Sequence, residues 1–241
     1  MPRVNTTNFL AAHYVDYDNQ HIMNLAIEWN AAMRHSSWVA FSFDSTTSQD
    51  NVKRGDAWGW DPLIPVELGK VIEDDHKSDG YDKGHLCASF NQKYWAMLEA
   101  LIQKWGRSTQ NGVYDKVYVA KGGTINKLLK DWTGKQKAND GLYPTADADG
   151  KTNPKSKNGL VVPAYYYMAI LAEKDGKFQA IGFLVPHSED LPAKPTTADL
   201  QTYTCSIAHL EEQTGIDFFC NLKDNVEREV ESAFRLEDWQ W

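Results

Sequence analysis

The chain has 241 residues, of which 42% are hydrophobic, and a formal net charge of −8 at pH 7. This length can bury one sizeable core, and no internal repeat, low-complexity block or Pro/Gly/Ser-rich linker divides it, so we predict a single domain over residues 1–241. A run of about 20 apolar residues is absent, which excludes a transmembrane helix, and the acidic balance excludes a uniformly basic surface.

Several segments alternate apolar and polar residues or are rich in β-forming residues, which is typical of strands. They are residues 21–29, 37–43, 113–120, 160–171 and 178–185. Further helices are predicted over residues 208–213 and 224–234. Because hairpin-length connections outnumber crossover helices, we predict an α+β fold with a mostly antiparallel central sheet flanked by helices.

The strongest helical pattern lies in the middle of the chain. Its members recur at spacings of four, three, four and three residues, namely Asn91, Trp95, Leu98, Ile102 and Trp105. Such a stripe is typical of a helix packed on a core, and Gly106 is a plausible stop. Asn91 then begins the helix, and Glu99, eight residues further on, lies on nearly the same side.

A candidate catalytic motif, Asp82-Lys83-Gly84-His85, stands just before this helix. The glycine between the cation and the imidazole lets the backbone turn tightly enough to aim both side chains into one cleft. Cutting a phosphodiester requires a base for the attacking water, a cation for the phosphate charge and a metal ion on the leaving oxygen. His85 suits the base, since an ordinary imidazole has a pKa of about 6.5 and is largely neutral at pH 7.

The metal site needs hard oxygen donors. Mg²⁺ usually keeps several of its waters, so the amide oxygen of Asn91 can hold it if neighbouring groups anchor those waters. Glu99 is a candidate for such an anchor.

These residues resemble the signature of a known family. Asp82-Lys83-Gly84-His85 is similar to the Asp-Arg-Gly-His motif of the DNA/RNA non-specific endonucleases, the ββα-metal enzymes that include endonuclease G and secreted bacterial nucleases. Asn91 and Glu99 also stand at the family's spacing, in its pattern Asn-Gln-x-x-Trp-x-x-Leu-Glu.

The likeness extends from about residue 34 to residue 224. Upstream, residues 53–62 resemble the segment that supplies the family's phosphate-stabilising arginine, here Arg54, although Arg54 has the alternative of a salt bridge to Asp56 or Asp61. Downstream, residues 117–123, 162–166 and 214–219 follow in family order.

The resemblance implies a ββα-metal nuclease fold and hydrolysis of DNA and RNA to 5′-phosphate ends, dependent on Mg²⁺ or Mn²⁺. It implies His85 as general base, Asn91 as metal ligand, and Arg54 and Lys83 as cations on the phosphate. Glu99 would hold metal-bound waters. Asp82 is expected to orient its loop by hydrogen bonding.

Two departures from the family matter. Lys83 replaces the signature arginine, which keeps the charge but loses the two-pronged hydrogen bonding of a guanidinium to phosphate. Only five residues separate His85 from Asn91, where the family has a much longer stretch. Either the protein has lost this stretch or it was omitted between Ser89 and Phe90, and we favour omission.

Each candidate also has a structural interpretation. His85 could be a hydrogen-bonded structural histidine, Asn91 a helix cap and Glu99 a surface acid. A catalytically impaired nucleic-acid-binding protein on a nuclease scaffold is therefore the main alternative function. A metal-dependent phosphodiesterase for small nucleotides is a weaker one.

Charge and cysteine content leave further questions open. Residues 121–160 carry eight lysines against four aspartates, and we interpret this stretch as a solvated loop. Cys205 and Cys220 could form a disulfide, although buried thiols are the simpler interpretation.

The family likeness leads us to expect a secreted, periplasmic or cell-surface protein whose leader is absent from this chain. A homodimer is one possible oligomeric state.

Overall fold

The computed structural model describes residues 1–46, 59–72, 92–106, 113–126, 145–146, 152–153, 160–188 and 190–241. The strands are β1 Phe9–Tyr17, β2 Gln20–Asn30, β3 His35–Phe43, β4 Lys116–Gly123, β5 Thr145–Ala146, β6 Thr152–Asn153, β7 Tyr165–Lys174, β8 Lys177–Pro186 and β9 Thr204–Cys205. The helices are α1 Gln92–Gly106, α2 Thr197–Gln201, α3 Ile207–Thr214 and α4 Asp224–Ser232, with 3-10 turns at Val66–Leu68 and Leu236–Asp238.

A seven-stranded sheet organises the molecule, in the order β1-β2-β3-β4-β7-β8-β9. All pairings within it are antiparallel, and β5 and β6 form a separate antiparallel pair. The expectation of an α+β fold with a mostly antiparallel sheet is confirmed.

Helices cover both faces of the sheet. One face packs against α1 and the C-terminal tail, through a core that includes Trp95, Leu98, Trp105, Val119, Met168 and Trp239. The other face packs against α3 and α4, through a core that includes Trp38, Ala120, Tyr167, Leu210, Phe218 and Val230. The strand β4 contributes to both cores, because side chains alternate between the two faces along a strand.

The central position of β7 explains its composition. Residues 166–172 are buried without interruption, since β7 has β4 on one side and β8 on the other and helices on both faces. A strand buried on both faces needs apolar residues at consecutive positions rather than in alternation.

Two predicted strands have shifted bounds. The strand predicted over residues 160–171 is β7, which begins only at Tyr165 and continues to Lys174, and isolated bridges at Val161 and Pro163 precede it. The strand predicted over residues 113–120 is β4, which continues to Gly123. Both glycines at its end are sites of close approach: a Cβ on Gly122 would lie 2.6 Å from Tyr167 Oη, and one on Gly123 would collide with the Pro163 ring.

The structure also bears on the expectations about a transmembrane helix and about a disulfide. Among the described residues no helix is long and apolar enough to cross a membrane. Cys205 and Cys220 are free thiols, so the disulfide considered above is not formed. Burial raises the pKa of the Cys205 thiol to about 12.

A group of carboxylates lies around α3 and α4. The pKa of Glu231 is raised to about 7, first by burial and then by the negative charges of Glu211, Glu227 and Asp217. Within the described part of the chain, Glu231 Oε1 is buried without a hydrogen-bond partner. Both observations mean that the folded protein disfavours an ionised Glu231.

Glu231→Gln is therefore expected to stabilise the protein above neutral pH, by on the order of 1 kcal/mol once solvent screening of this partly exposed group is allowed for. The unfolded carboxyl has its ordinary pKa of 4.5 while the folded one has about 7, so wild-type stability from this group is lost as pH rises through that window. The advantage of the variant should grow over the same window and then level off.

Urea unfolding at a series of pH values measures this effect. Glu229→Gln, an exposed change on the same helix, is the matched control and should confer no pH-dependent advantage. A gain for Glu231→Gln that is constant with pH would contradict the expectation.

Candidate active site

The predicted site residues are described only in part. Glu99 lies in α1. The other predicted residues, Arg54, Asp82, Lys83, His85 and Asn91, lie outside the described residues, as does the Ser89–Phe90 junction. The described helix begins at Gln92, the residue that follows Asn91, so the helix predicted from the apolar stripe is confirmed and its start lies beside the proposed metal ligand.

Glu99 is held by two donors that meet on one of its oxygens. Trp95 Nε1 donates to Glu99 Oε1 at 3.1 Å, and Lys121 Nζ contacts the same oxygen at 3.1 Å. Trp95 and Glu99 are four residues apart, so their side chains are neighbours on one face of the helix. The carboxylate side chain is 39% exposed, and solvent can therefore reach it.

Lys121 is a functional candidate that the motif did not reveal. It lies in the lysine-rich stretch predicted to be a solvated loop, and for this residue the prediction is wrong, because β4 carries it into the sheet with a side chain only 8% exposed. Its Nζ lies 5.3 Å from the centroid of the Trp95 ring and 5.6 Å from that of Phe41. Two aromatic faces and one carboxylate thus stabilise the buried ammonium.

A signal for the burial of Lys121, although not for its partner, does exist in the sequence. Val117, Val119 and Lys121 alternate along β4, and both valines belong to the core beneath α1. A lysine that continues such an apolar alternation points to the same face, where it requires a counter-charge.

The chemistry of Glu99 suits a hydrated hard cation. Both donors occupy Oε1, and no donor from the described residues contacts Oε2. An oxygen left free in this way can accept hydrogen bonds from the waters that Mg²⁺ usually keeps. The described part of the chain contains no group of three or more His, Cys, Asp or Glu residues able to hold a metal.

Asp61, considered above as a partner of Arg54, has other contacts. Asp61 Oδ2 lies 2.6 Å from His13 Nε2 on β1, and Asp61 Oδ1 accepts from the Leu63 N–H at 2.9 Å. These contacts tie the segment that follows Arg54 to the sheet edge. A structural salt bridge between Arg54 and Asp61 would therefore have to share the Asp61 carboxylate with His13 and the Leu63 N–H.

The C-terminal tail anchors the far end of α1. Trp105 Nε1 donates to the Gln240 carbonyl at 2.6 Å, and the Trp105 ring lies 4.6 Å from the Trp239 ring. Lys104 Nζ also donates to the Trp241 carbonyl at 2.8 Å. The helix that carries Glu99 is therefore fixed both by the sheet and by the tail.

Comparison with known families gives a match over most of the chain. The model of the family described as DNA/RNA non-specific endonuclease matches residues 6–89 and 87–225. The two matched segments overlap at residues 87–89, next to the Ser89–Phe90 junction.

Similar proteins agree with this match. A nuclease of Nostoc sp. is 21% identical over an alignment of 243 residues, gaps included, and the alignment covers 94% of this chain and 80% of that protein. The mitochondrial nuclease EXOG of Danio rerio is 24% identical over 227 residues, which cover 88% of this chain and 60% of that protein. A chain of the solved EndoG/EndoGI complex has a TM-score of 0.57 at 20% identity, over 90% of this chain and 89% of that one, and so shares the fold.

Proposed function

Because this chain belongs to the DNA/RNA non-specific endonuclease family, we propose that it is an endonuclease that depends on Mg²⁺ or Mn²⁺ and hydrolyses both DNA and RNA to 5′-phosphate ends. The family match to residues 6–89 and 87–225 carries this proposal. Glu99 in the motif helix supports the metal requirement, because its Oε2 accepts no hydrogen bond from the described residues.

In the proposed mechanism, neutral His85 takes a proton from the water that attacks phosphorus in line. Arg54 and Lys83 neutralise the non-bridging oxygens of the phosphate as charge accumulates there. Asp82 orients the loop that carries Lys83 and His85.

The metal would be held by Asn91 through its amide oxygen and by Glu99 through bound waters. When bound, it would supply charge stabilisation at the phosphate and at the departing 3′ oxygen. Asn91 and Glu99 fit such an ion because both offer hard oxygen donors. We also propose a secreted, periplasmic or cell-surface location, which rests on the likeness to secreted bacterial nucleases.

Digestion of supercoiled plasmid and of single-stranded RNA tests the proposal. Both polymers should be cut in Mg²⁺ or Mn²⁺ and spared in excess EDTA, and excess Mg²⁺ should restore cutting. The products should accept a 5′ label from polynucleotide kinase only after phosphatase treatment, because their 5′ ends already carry phosphate.

Other outcomes point to other functions. Cutting that persists in EDTA would overturn the proposed metal dependence. Binding of DNA in Mg²⁺ without turnover would instead favour the catalytically impaired binding protein. Cleavage of a dinucleotide while plasmid stays intact would favour a phosphodiesterase for small nucleotides.

A further inference from the structure

We propose that Lys121 is a positioning residue that orients Glu99 for the metal's water shell. This inference rests on the proposed function, since it assigns to Lys121 a role in the same site. Lys121 contacts neither substrate nor metal in this scheme, and it acts only through the carboxylate of Glu99.

The position of Lys121 is rigidly determined by the sheet. Its backbone is paired with Val39 of β3 on one side and with Met168 of β7 on the other. The side chain crosses the gap between sheet and helix, with the aromatic rings of Trp95 and Phe41 around its ammonium. The Lys121 ammonium therefore has little freedom to follow a movement of the Glu99 carboxylate.

The opposite charges of Lys121 and Glu99 limit how the Glu99 side chain can rotate. A buried ammonium is costly without a counter-charge, and Glu99 is the carboxylate that pairs with Lys121 among the described residues. Any rotation of Glu99 that breaks this pair leaves the ammonium uncompensated. Lys121 and Trp95 therefore restrain Oε1 together, while Oε2 accepts no hydrogen bond from the described residues and the side chain is exposed enough for metal-bound water to reach it.

A second lysine of the same strand provides a matched comparison. Lys116 Nζ lies 3.1 Å from Asp44 Oδ2 and 5.1 Å from the Tyr118 ring centroid, so, like Lys121, it has a carboxylate partner and an aromatic neighbour. Lys116 is five residues from Lys121, so the alternation of the strand turns its side chain to the opposite face. Its side chain is 33% exposed, against 8% for Lys121, so it provides an ion pair on the same strand that is more exposed and lies away from α1.

Lys121→Met tests the role, because it keeps an apolar stem and removes the charge. At saturating Mg²⁺ its kcat on plasmid should fall about 10- to 100-fold, as is usual for groups that orient a metal's outer shell, while KM for plasmid changes little. In a Glu99→Gln background the same change should have no further effect on kcat. Lys116→Met should leave kcat unchanged, and Lys121→Arg, which keeps the cation, should retain most of it.

A second readout needs neither metal nor substrate. In EDTA, Glu99→Gln should lower the urea midpoint of unfolding, because it leaves the Lys121 ammonium buried without a counter-charge. Adding Lys121→Met to that variant should then raise the midpoint again. This non-additivity is specific to a direct contact, and a pair with Lys116→Met in place of Lys121→Met should be additive.

The results separate the two proposals. An inactive wild-type protein would overturn the proposed function and this inference with it. With an active wild type, the inference alone would be overturned by additive midpoints, by an unchanged kcat in Lys121→Met, or by an equal loss of kcat in the wild-type and Glu99→Gln backgrounds.

Discussion

His85→Ala is expected to lower kcat on plasmid DNA by about 10²- to 10⁴-fold, the usual contribution of a general base. The variant retains the proposed cations and metal ligand, so it should still bind DNA, but no group remains to take the proton from the attacking water. Initial rates at saturating Mg²⁺, with DNA affinity measured separately, show whether the loss lies in the chemical step.

Added imidazole should restore part of the activity of His85→Ala, and more of it as pH rises and the free base becomes the main species. His209→Ala is the matched control, because His209 lies exposed on α3, against the opposite face of the sheet from α1. It should keep wild-type activity. Undiminished cutting by His85→Ala would rule out His85 as the base.

Trp105→Ala is expected to lower the free energy of unfolding by about 3–5 kcal/mol, as for other buried tryptophans reduced to alanine. Trp105 is fully buried and contacts the rings of Trp239 and Trp241 at 4.6 Å and 6.0 Å. Its removal opens a cavity between α1 and the tail, and the Gln240 carbonyl loses its donor. Urea denaturation followed by far-UV circular dichroism measures the change without relying on tryptophan fluorescence.

Trp105→Phe separates packing from hydrogen bonding. It fills much of the space of the indole but cannot donate to Gln240, so a smaller loss of about 1–2 kcal/mol is expected. If Trp105→Ala cost less than about 1 kcal/mol, the tail could not be packed on α1 as described, since even an ordinary buried side chain contributes more.

Elements with a strong hydrophobic period could be predicted closely. The stripe from Trp95 to Trp105 predicted α1, and the alternation over residues 21–29, 37–43 and 178–185 predicted β2, β3 and β8. The strands β2, β3 and β8 each contain consecutive residues buried on both faces, so their content of β-forming residues indicated them as well as alternation did. In α1 one face of the helix is buried, and the sequence repeats with the period of that face. The helices α3 and α4 follow the same rule.

Elements without such a period were missed. The strand β1 lies at the sheet edge and is largely exposed, and in it Leu10, Ala11 and Ala12 stand side by side without alternation. The helix α2 has only five residues, too few to display a helical period. Its start is instead stabilised by the Thr196–Asp199 capping box.

The sequence by itself determined the family, the mostly antiparallel α+β class and the helix register that presents Glu99, because motifs and hydrophobic periods are local properties of the chain. Only the tertiary structure decided what Glu99 and Trp105 contact. Lys121 lies 22 residues from Glu99 and Gln240 lies 135 residues from Trp105. Such pairs come together only when the sheet, α1 and the tail pack into one core, and no local pattern specifies which side chains then meet.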